Sequence, residues 1–371
     1  MNHFQLICID CNEAHNPSFE LLRCSKCDGI LDVRYSSSYI EGIRENLSFN
    51  ALIELMTPII DKEFIVSLGE GNTPCTEIST VGSDIKQHLI AKLEYMNPTG
   101  SFKDRGVATM ISAAKYYGVK EIVEDSSGNA GASVAAYAAT AGIKSNIFVP
   151  SNAAGSKLAQ ISAYGAVVHK IDGSRSDVTE KLIDYKDKFD LHYGSHAMSP
   201  FFIEGNKRFA YEIALNPEID LPQHIIFPVG NGGLLLGAWK GFMELFLFGL
   251  IREMPKLHSV QSELIDPITR AYYSDVFDSQ EGVTLATGIS VKSPPRLNQI
   301  IEVINQTKGR AISITEKQMI DAKEFLCHKG LYCEYTSAVT LAGLHKLVEI
   351  GEINTGQTVL LPLTGTGLKE K

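Results

Sequence analysis

The hydrophobic and polar positions of this chain follow two alternating patterns. Short runs rich in valine, isoleucine and leucine are followed by longer stretches in which apolar residues recur every three to four positions. The short runs are typical of strands buried on both faces, and the longer stretches are typical of amphipathic helices. Strands are predicted over Leu89–Leu93, Glu121–Glu124, Asn146–Val149, Val167–Ile171, Ile225–Val229 and Val359–Leu363. Helices are predicted over Asp104–Tyr117, Ala130–Thr140, Gly155–Tyr164, Ser176–Phe189, Phe202–Leu215, Leu234–Ile251, Glu316–His328 and Ser337–Ile350.

Strands that alternate with helices predict an α/β fold with parallel sheets flanked by helices. The length of 371 residues suits two packed domains. The most apolar stretch, Leu234–Ile251, contains Lys240 and Glu244 one helical turn apart. Because a membrane span would leave this charged pair in lipid, we predict a helix of the protein core instead.

Composition narrows the class of protein further. The chain is 44% hydrophobic and 21% charged, and its formal net charge is −9. An acidic protein gains little from releasing the counterions of nucleic acids, so we do not expect nucleic acid as a partner. The charged pair within Leu234–Ile251 argues against a membrane as a partner. The first residues lack the basic and apolar regions of a signal peptide, which predicts a cytoplasmic location.

Four of the seven cysteines lie within the first 27 residues. They form two CxxC pairs separated by twelve residues, Cys8 with Cys11 and Cys24 with Cys27. Two such pairs can supply the four thiolates of a tetrahedral zinc site, so residues 1–45 are predicted to form a zinc-ribbon-like module with a structural zinc ion. A ribbon that has lost its metal and a redox-active CxxC pair are the alternatives.

A tight turn followed by a helix surrounds Lys103. Pro98 and Gly100 force the turn, and Lys103 then lies at the N-terminus of the predicted helix. The positive end of the helix dipole disfavours the charged ammonium and favours the neutral amine, which is the form that attacks a carbonyl group. Lys103 is therefore a candidate catalytic residue, with an ordinary surface lysine as the alternative.

Three further loops follow predicted strands. The first offers the hydroxyls of Ser126 and Ser127 and the amide of Asn129 at the start of a helix, where a carboxylate or a phenolic oxygen can bind. The second, Gly230–Leu234, is rich in glycine, and its backbone N–H groups suit a phosphate. The third places Thr364 at the end of the last strand, where open α/β sheets bind ligands. A plain helix cap and packing glycines are the alternatives for the first two loops.

Together these segments resemble the fold-type-II pyridoxal phosphate (PLP) enzymes, and within them the threonine synthase family. The segments Leu68–Pro74 (LGEGNTP) and Asn97–Gly106 (NPTGSFKDRG) match two motifs of that family. The glycine loop and the C-terminal segment Thr364–Lys369 match two more, and some threonine synthases also have an N-terminal cysteine ribbon. The resemblance covers nearly the whole chain, and the lysine segment is its most specific part.

The resemblance implies a role for each matching residue. Lys103 would form the Schiff base with the cofactor and move protons, with Phe102 packed nearby, and Asn129 would hydrogen-bond the ring hydroxyl. Thr364 would face the pyridine nitrogen, where a hydroxyl makes the ring a weaker electron sink that suits elimination and replacement at the β or γ carbon. The cofactor phosphate would bind Gly230, Asn231, Gly232, Gly233 and Leu234. The carboxylate or leaving group of the substrate would contact Thr73, Ser126 and Ser127.

The resemblance also implies the organisation of the protein. Residues 46–93 and 206–371 would form a large PLP-binding domain, and residues 94–205 a small mobile α/β domain, besides the ribbon-like module. The protein would be a homodimer that acts on a small amino acid. The expected reaction converts O-phosphohomoserine to threonine and phosphate.

One segment departs from the family pattern. Threonine synthases usually carry Asn-Pro-x-Arg, whose asparagine and arginine help to hold the substrate phosphate, whereas this chain has Ser199 and Phe202 at those two positions. Because phenylalanine cannot pair with a phosphate, we hypothesise a substrate other than O-phosphohomoserine. Three cations, Arg105, Lys157 and Arg208, are candidates to replace the missing charge.

Other interpretations remain open at this point. A dehydratase or ammonia-lyase, or a β-replacement enzyme such as cysteate synthase, would keep the cofactor and change the reaction. A non-catalytic PLP-fold binding protein is disfavoured by the intact Lys103 and Asn129. A nucleic-acid-binding ribbon is disfavoured by the few basic residues between the cysteines. A second metal site at His192 and His196 is not expected, and the remaining cysteines are expected to be buried packing residues, namely Cys75, Cys327 and Cys333.

Overall fold

The computed structural model describes residues 3–45, 48, 52–54, 56–153, 155–274 and 282–370. Its strands are β1 Phe4–Cys8, β2 Ala14–His15, β3 Leu31–Tyr35, β4 Cys75–Glu77, β5 His88–Lys92, β6 Glu121–Glu124, β7 Lys144–Pro150, β8 Val167–Ile171, β9 His192–Tyr193, β10 His224–Pro228, β11 Lys256–Ser262, β12 Ala311–Ile314 and β13 Thr358–Pro362. Its longer helices are α1 Ser37–Glu45, α2 Lys103–Tyr116, α3 Asn129–Ala141, α4 Ser156–Ala163, α5 Arg175–Phe189, α6 Pro200–Asn206, α7 Arg208–Ala214, α8 Gly233–Leu247, α9 Pro267–Tyr273, α10 Leu297–Gln306, α11 Glu316–His328 and α12 Tyr335–Glu349.

The chain divides into two compact units. The first contains Met1–Glu70 and Lys103–Arg208, with Lys371, and the second contains Gly71–Phe102 and Phe209–Glu370. The N-terminal cysteines and Lys103 therefore belong to the same unit. This division does not show which part of the chain moves. The small mobile domain therefore stays a prediction.

The first unit contains two sheets. Strands β1, β2 and β3 pair antiparallel in the order β2-β1-β3. Strands β6 to β9 are parallel, in the order β8-β7-β6-β9. Because β6 and β9 are neighbours that run in the same direction, the loops that follow them leave the sheet at the same edge.

The second unit is built on one six-stranded sheet in the order β12-β11-β10-β13-β5-β4. Every neighbouring pair is parallel except β4 with β5, which is antiparallel. Helices α11 and α12 contribute Met319, Leu326, Leu341 and Leu344 to a core that also contains Val359 of β13. Burial of these aliphatic side chains is the main stabilising contribution to the unit.

The predicted α/β class with parallel sheets and flanking helices is confirmed, and all six predicted strands form. The prediction of one helix over Phe202–Leu215 is wrong, because the chain forms α6 and α7 instead. At the break, the N–H of Lys207 donates to the carbonyl of Glu204, three residues back, and the Asn206 side chain donates to the carbonyl of Phe202. Strand β11 was not predicted because it buries polar residues, among them His258 and Gln261.

The apolar stretch that carries Lys240 and Glu244 forms helix α8, which buries Leu235, Phe242 and Leu245. Among the described residues, no helix is both long enough and apolar enough to cross a membrane. The helix therefore agrees with the predicted place in the protein core.

Candidate active site

Three loops of the second unit that carry predicted site residues lie at one edge of its sheet. Strands β5, β13 and β10 are adjacent and parallel, and they are followed by Asn97–Phe102, Thr364 and Gly230–Leu234 respectively. Strand β4 runs antiparallel to β5, and its first residue, Cys75, pairs with Lys92, the last residue of β5. Thr73, which precedes β4 by two residues, therefore lies at the same edge. Carboxyl ends of parallel strands are where such sheets bind ligands.

Buried charged residues hold the loop that contains Thr73. The Thr73 hydroxyl donates to Glu94 Oε1 (2.7 Å), and the Thr73 carbonyl accepts from Lys92 Nζ (2.7 Å). The preceding N–H, of Asn72, donates to Glu212 Oε1 (2.8 Å). Sequence reasoning did not single out Lys92, Glu94 or Glu212, which come from separate elements of the unit.

Thr364 is held in place by Ser337. The two hydroxyl oxygens lie 3.1 Å apart, and both side chains are buried. Ser337 Oγ also accepts from the N–H of Gly365 (3.0 Å), which fixes the turn after β13. The Phe102 N–H donates to the carbonyl of Thr364 (3.0 Å), so the turn before Lys103 pairs directly with the C-terminal segment.

The glycine turn before α8 packs closely against the residues around it. Gly232 has a φ of 78°, in the left-handed region, and a Cβ there would lie 2.5 Å from Ile300 Cδ1. A Cβ on Gly230 would lie 3.1 Å from both Ile289 Cα and Val291 Cγ2. The first turn of a helix presents N–H groups that have no acceptor within the helix. This turn therefore fits a phosphate at the N-terminus of α8.

In the first unit, Lys103 and Asn129 begin two helices that are tied together. Lys103 is the first residue of α2, and Asn129 is the first residue of α3. The Ser133 hydroxyl of α3 donates to Asp104 Oδ1 (2.6 Å), and both of these side chains are fully buried. This bond fixes the first turn of α2 against the first turns of α3, and thereby Lys103 relative to Asn129.

Ser126 and Ser127 follow β6 and are half-buried. Ser126 Oγ accepts from the N–H of Gly128 (3.2 Å), as in the turn before a helix. The preceding residue, Asp125, accepts from the hydroxyls of Thr179 (2.6 Å) and Tyr193 (2.8 Å). Burial by itself would raise the pKa of Asp125, but Arg175 and these hydrogen bonds outweigh it and lower the pKa below its usual value.

Phe202 lies directly against the start of the lysine helix. A Cβ on Gly106 would lie 2.5 Å from Phe202 Cδ2, and Lys103 Nζ lies 5.6 Å from the centre of the Phe202 ring. On another side, the Phe202 ring meets the His196 ring edge to face at 6.1 Å. The position that departs from the family pattern therefore lies next to the predicted catalytic lysine.

His196 and Glu124 form a pair that sequence reasoning missed. His196 Nδ1 lies 2.7 Å from Glu124 Oε1, and the Glu124 side chain is fully buried. Burial raises the pKa of Glu124, although the interaction with His196 opposes that effect. His196 follows β9 and Glu124 ends β6, so the parallel pairing of these strands brings the two side chains together.

The three cations that were candidates to replace the missing charge lie in different settings. Arg105 is buried in α2, and Lys157 is half-buried in α4. Arg208 Nη1 lies 3.9 Å from Glu70 Oε1, and Glu70 also accepts from the hydroxyl of Tyr137 (2.8 Å). Arg208 therefore faces a carboxylate of its own unit.

The N-terminal cysteines converge as the CxxC spacing predicts. The sulfur atoms of Cys8, Cys11, Cys24 and Cys27 all lie within 4.8 Å of one another. The Cys8–Cys27 and Cys11–Cys24 sulfur separations are 3.5 and 3.7 Å. A tetrahedron with zinc–sulfur bonds of about 2.3 Å has edges of about 3.8 Å, so the cluster fits a tetrahedral metal ion.

Other predicted cysteines and histidines fall outside this cluster. One histidine that sequence reasoning did not single out does contact the cluster: His15 Nε2 lies 3.3 Å from the sulfur of Cys24. His192 Nε2 lies 3.3 Å from Glu20 Oε1. Within the part of the chain that the structure describes, the four cysteines are the group that could hold a metal ion. Cys333 is buried as expected, whereas Cys75 and Cys327 are only half-buried.

Comparison with known proteins identifies relatives of the whole chain. The family model described as pyridoxal-phosphate dependent enzyme matches residues 66–365. A threonine synthase of Methanocaldococcus jannaschii is 33% identical over 379 residues, which cover 98% of this chain and 92% of that protein. A threonine synthase of Bacillus sp. (strain ULM1) is 34% identical over 315 residues, which cover 84% of this chain and 87% of that protein.

Solved structures support the fold. The processed form of threonine deaminase isoform 2 from Solanum lycopersicum has a TM-score of 0.70 and 18% identity, and the match covers 89% of this chain and 85% of that one. An L-serine ammonia-lyase from Rhizomucor miehei has a TM-score of 0.70 and 18% identity, and the match covers 80% of this chain and 94% of that one. At these identities the likeness extends to the fold alone.

Proposed function

Because the chain belongs to the family of pyridoxal-phosphate-dependent enzymes and is a lyase similar to the threonine synthases, we propose that it converts O-phosphohomoserine and water to threonine and phosphate. The observation that carries this proposal is identity of 32–34% to several threonine synthases over most of the chain, together with the matching lysine segment. The predicted cytoplasmic location and homodimer stay predictions.

We assign the residues as follows. Lys103 would hold the cofactor covalently and would move protons to and from the substrate, with Phe102 beside it. Asn129 would hold the ring hydroxyl of the cofactor, Thr364 its ring nitrogen, and Gly230, Asn231, Gly232, Gly233 and Leu234 its phosphate. Bound PLP supplies an electron sink for the substrate carbanion. The buried bond between Ser133 and Asp104 supports the placement of Lys103, and Ser337 supports that of Thr364.

Thr73, Ser126 and Ser127 are proposed to bind the substrate's carboxylate or leaving group. The hydroxyls of Ser126 and Ser127 lie before the N-terminus of α3, whose dipole favours a negative charge. The Thr73 hydroxyl donates its proton to Glu94 in this structure, so binding of a carboxylate or leaving-group oxygen through Thr73 requires that proton to turn away from Glu94.

The second candidate is a lyase, dehydratase or β-replacement enzyme whose substrate carries an uncharged leaving group. Phe202 favours it, because this ring is fully buried against Gly106, beside Lys103, where the family has an arginine. A ring in that position offers no bond to a phosphate.

The experiment follows threonine and phosphate release from O-phosphohomoserine while the visible spectrum of the bound cofactor is recorded. Threonine with stoichiometric phosphate is the expected result, and Lys103→Ala should abolish both the turnover and the spectrum of the covalently bound cofactor. A normal spectrum without turnover would exclude the first candidate and keep the second. Turnover of O-acetylated or hydroxy amino acids, lost in Phe202→Arg, would then identify it.

A further inference from the structure

Helix α6 connects the cysteine ribbon to the helix that begins with Lys103. It is seven residues long, and all of its residues are buried. One side of the helix faces the ribbon and carries Phe201 and Glu204. The other side faces α2 and carries Phe202 and Gly205.

The contact between α6 and α2 is close to the backbone. A Cβ on Gly205 would lie 2.2 Å from the carbonyl oxygen of Arg105, and one on Gly106 would lie 2.7 Å from the carbonyl oxygen of Phe202. Glycines on both sides bring the two backbones close together, and the side chains that remain in the contact, such as the buried Phe202 ring, are too tightly packed to absorb a shift. A movement of α6 therefore displaces the first turn of α2.

The contact between α6 and the ribbon is aromatic and ionic. The Phe201 ring stacks on Phe19, with centres 6.4 Å apart and planes 5° apart, and meets Phe4 of β1 edge to face at 6.2 Å. Phe19 lies in the segment between the two CxxC pairs, so its position depends on the fold of the ribbon. Aromatic pairs of this kind contribute beyond the apolar area that they bury.

The ionic part of the contact is a buried triad. The Tyr35 hydroxyl at the end of β3 donates to Glu204 Oε2 (2.5 Å), and Lys207 Nζ lies 2.6 Å from the same oxygen. Lys207 Nζ also lies 4.6 Å from the centre of the Tyr35 ring. Because the Glu204 and Lys207 side chains are at most 1% exposed, any displacement of β3 leaves buried charges poorly compensated.

From these contacts we infer that the metal-bound ribbon positions the cofactor lysine, with Phe201, Gly205 and Glu204 of α6 as positioning residues. The ribbon orders Phe19, Phe4 and Tyr35; these hold α6; and α6 holds the first turn of α2. The inference rests on the proposed role of Lys103, but it does not depend on which amino acid is the substrate.

The first test measures the visible spectrum of the bound cofactor against pH, without substrate, in full-length Phe19→Leu and Glu204→Gln. In both variants the pH at which the spectrum changes should shift, because the lysine is misplaced. In a separate assay with substrate, kcat should fall on the order of ten- to a hundred-fold with little change in KM. Ile147→Ala, at a buried position of β7 in the parallel sheet, serves as the control for lost stability. Lys26→Ala serves as the ribbon control, because Lys26 is an exposed residue that pairs with Glu13 at the surface.

A second measurement does not need variants that fold. Amide hydrogen exchange of the holoenzyme is compared with a zinc chelator and with its non-chelating isomer. Loss of protection in residues 3–35, 200–206 and the first turn of α2, with α11 unchanged, is the expected result. Loss confined to residues 3–35, or an unshifted cofactor spectrum in both variants at reduced melting temperature, would overturn the inference. The cofactor spectrum against pH and the hydrogen exchange need no substrate, so they test the inference even if the proposed reaction fails.

Discussion

Lys92 and Glu212 form a buried ion pair, with 3.0 Å between Lys92 Nζ and Glu212 Oε2 and side chains that are 1% and 5% exposed. Lys92 is the last residue of β5, and Glu212 belongs to α7. Both also bond the backbone at Asn72 and Thr73. The pair therefore fixes the segment that carries a proposed substrate-binding hydroxyl.

Removing the cation of this pair should be strongly destabilising. We expect Lys92→Met to lower the free energy of unfolding by about 3–5 kcal/mol, because Glu212 keeps a buried charge that Lys92 balanced. The double variant Lys92→Met with Glu212→Leu should recover much of the loss. Urea unfolding with saturating cofactor measures the free energy of unfolding of the single and the double variant. Lys317→Met, at an exposed ion pair, is the control and should lower that free energy by less than about 1 kcal/mol. Equal losses in the single and double variants would contradict this account.

Gly232 is expected to be required for cofactor binding. Gly232→Ala forces a side chain into the left-handed region and against Ile300, at a cost of about 1–3 kcal/mol for the backbone alone. Because the turn would shift to relieve the contact, the dissociation constant for PLP should rise, as measured by fluorescence titration. Gly118→Ala is the matched control, since its φ of 75° is similar but its surroundings are open. An equal effect on PLP affinity in both variants would show that the turn has no special role.

The buried pair of His224 and His258 predicts acid sensitivity. The N–H of Arg310 donates to His258 Nδ1 (3.0 Å), so His258 carries its proton on Nε2 and donates it to His224 Nδ1 (2.9 Å). Burial lowers the pKa of both histidines in the folded state.

Below the unfolded-state pKa of about 6.5, the unfolded chain binds protons that the folded chain does not. Stability should therefore fall as pH drops below that value, by up to about 1.4 kcal/mol per pH unit for each histidine. His258→Gln should reduce this slope between about pH 6.5 and 5, measured by urea unfolding at each pH. His88→Gln, at an exposed histidine, is the control and should leave the slope unchanged. A slope unaltered in His258→Gln would refute the prediction.

The cysteine cluster should bind one zinc ion per chain. Metal analysis after gel filtration should find one equivalent, and Cys11→Ser should reduce it, because three thiolates and a hydroxyl bind zinc less tightly. Cys327→Ser, which lies outside the cluster, should retain the metal. A metal-free protein that loses two thiols on mild oxidation would support the redox alternative instead.

The N-terminal cluster and the four loops were predictable from the sequence because their signals are local. Two CxxC pairs, a glycine turn before a helix, and a lysine after a tight turn are each complete within about ten to twenty residues of chain. Hydrophobic periodicity located six strands for the same reason. What the resemblance added was the chemistry of each loop, which local patterns leave open.

Only the tertiary structure decided which distant residues support those loops. Lys92 and Glu212 come from a strand and a helix, and strands β6 to β9 of the first unit lie between them in the chain. The polar strand β11 is buried because its neighbours satisfy His258 and Gln261. The place of Phe202 also needed the fold, since the close approach of α6 to Gly106 sets it beside Lys103. Such contacts depend on strand order and helix packing, which are set by the whole core and leave no pattern in a short window of sequence.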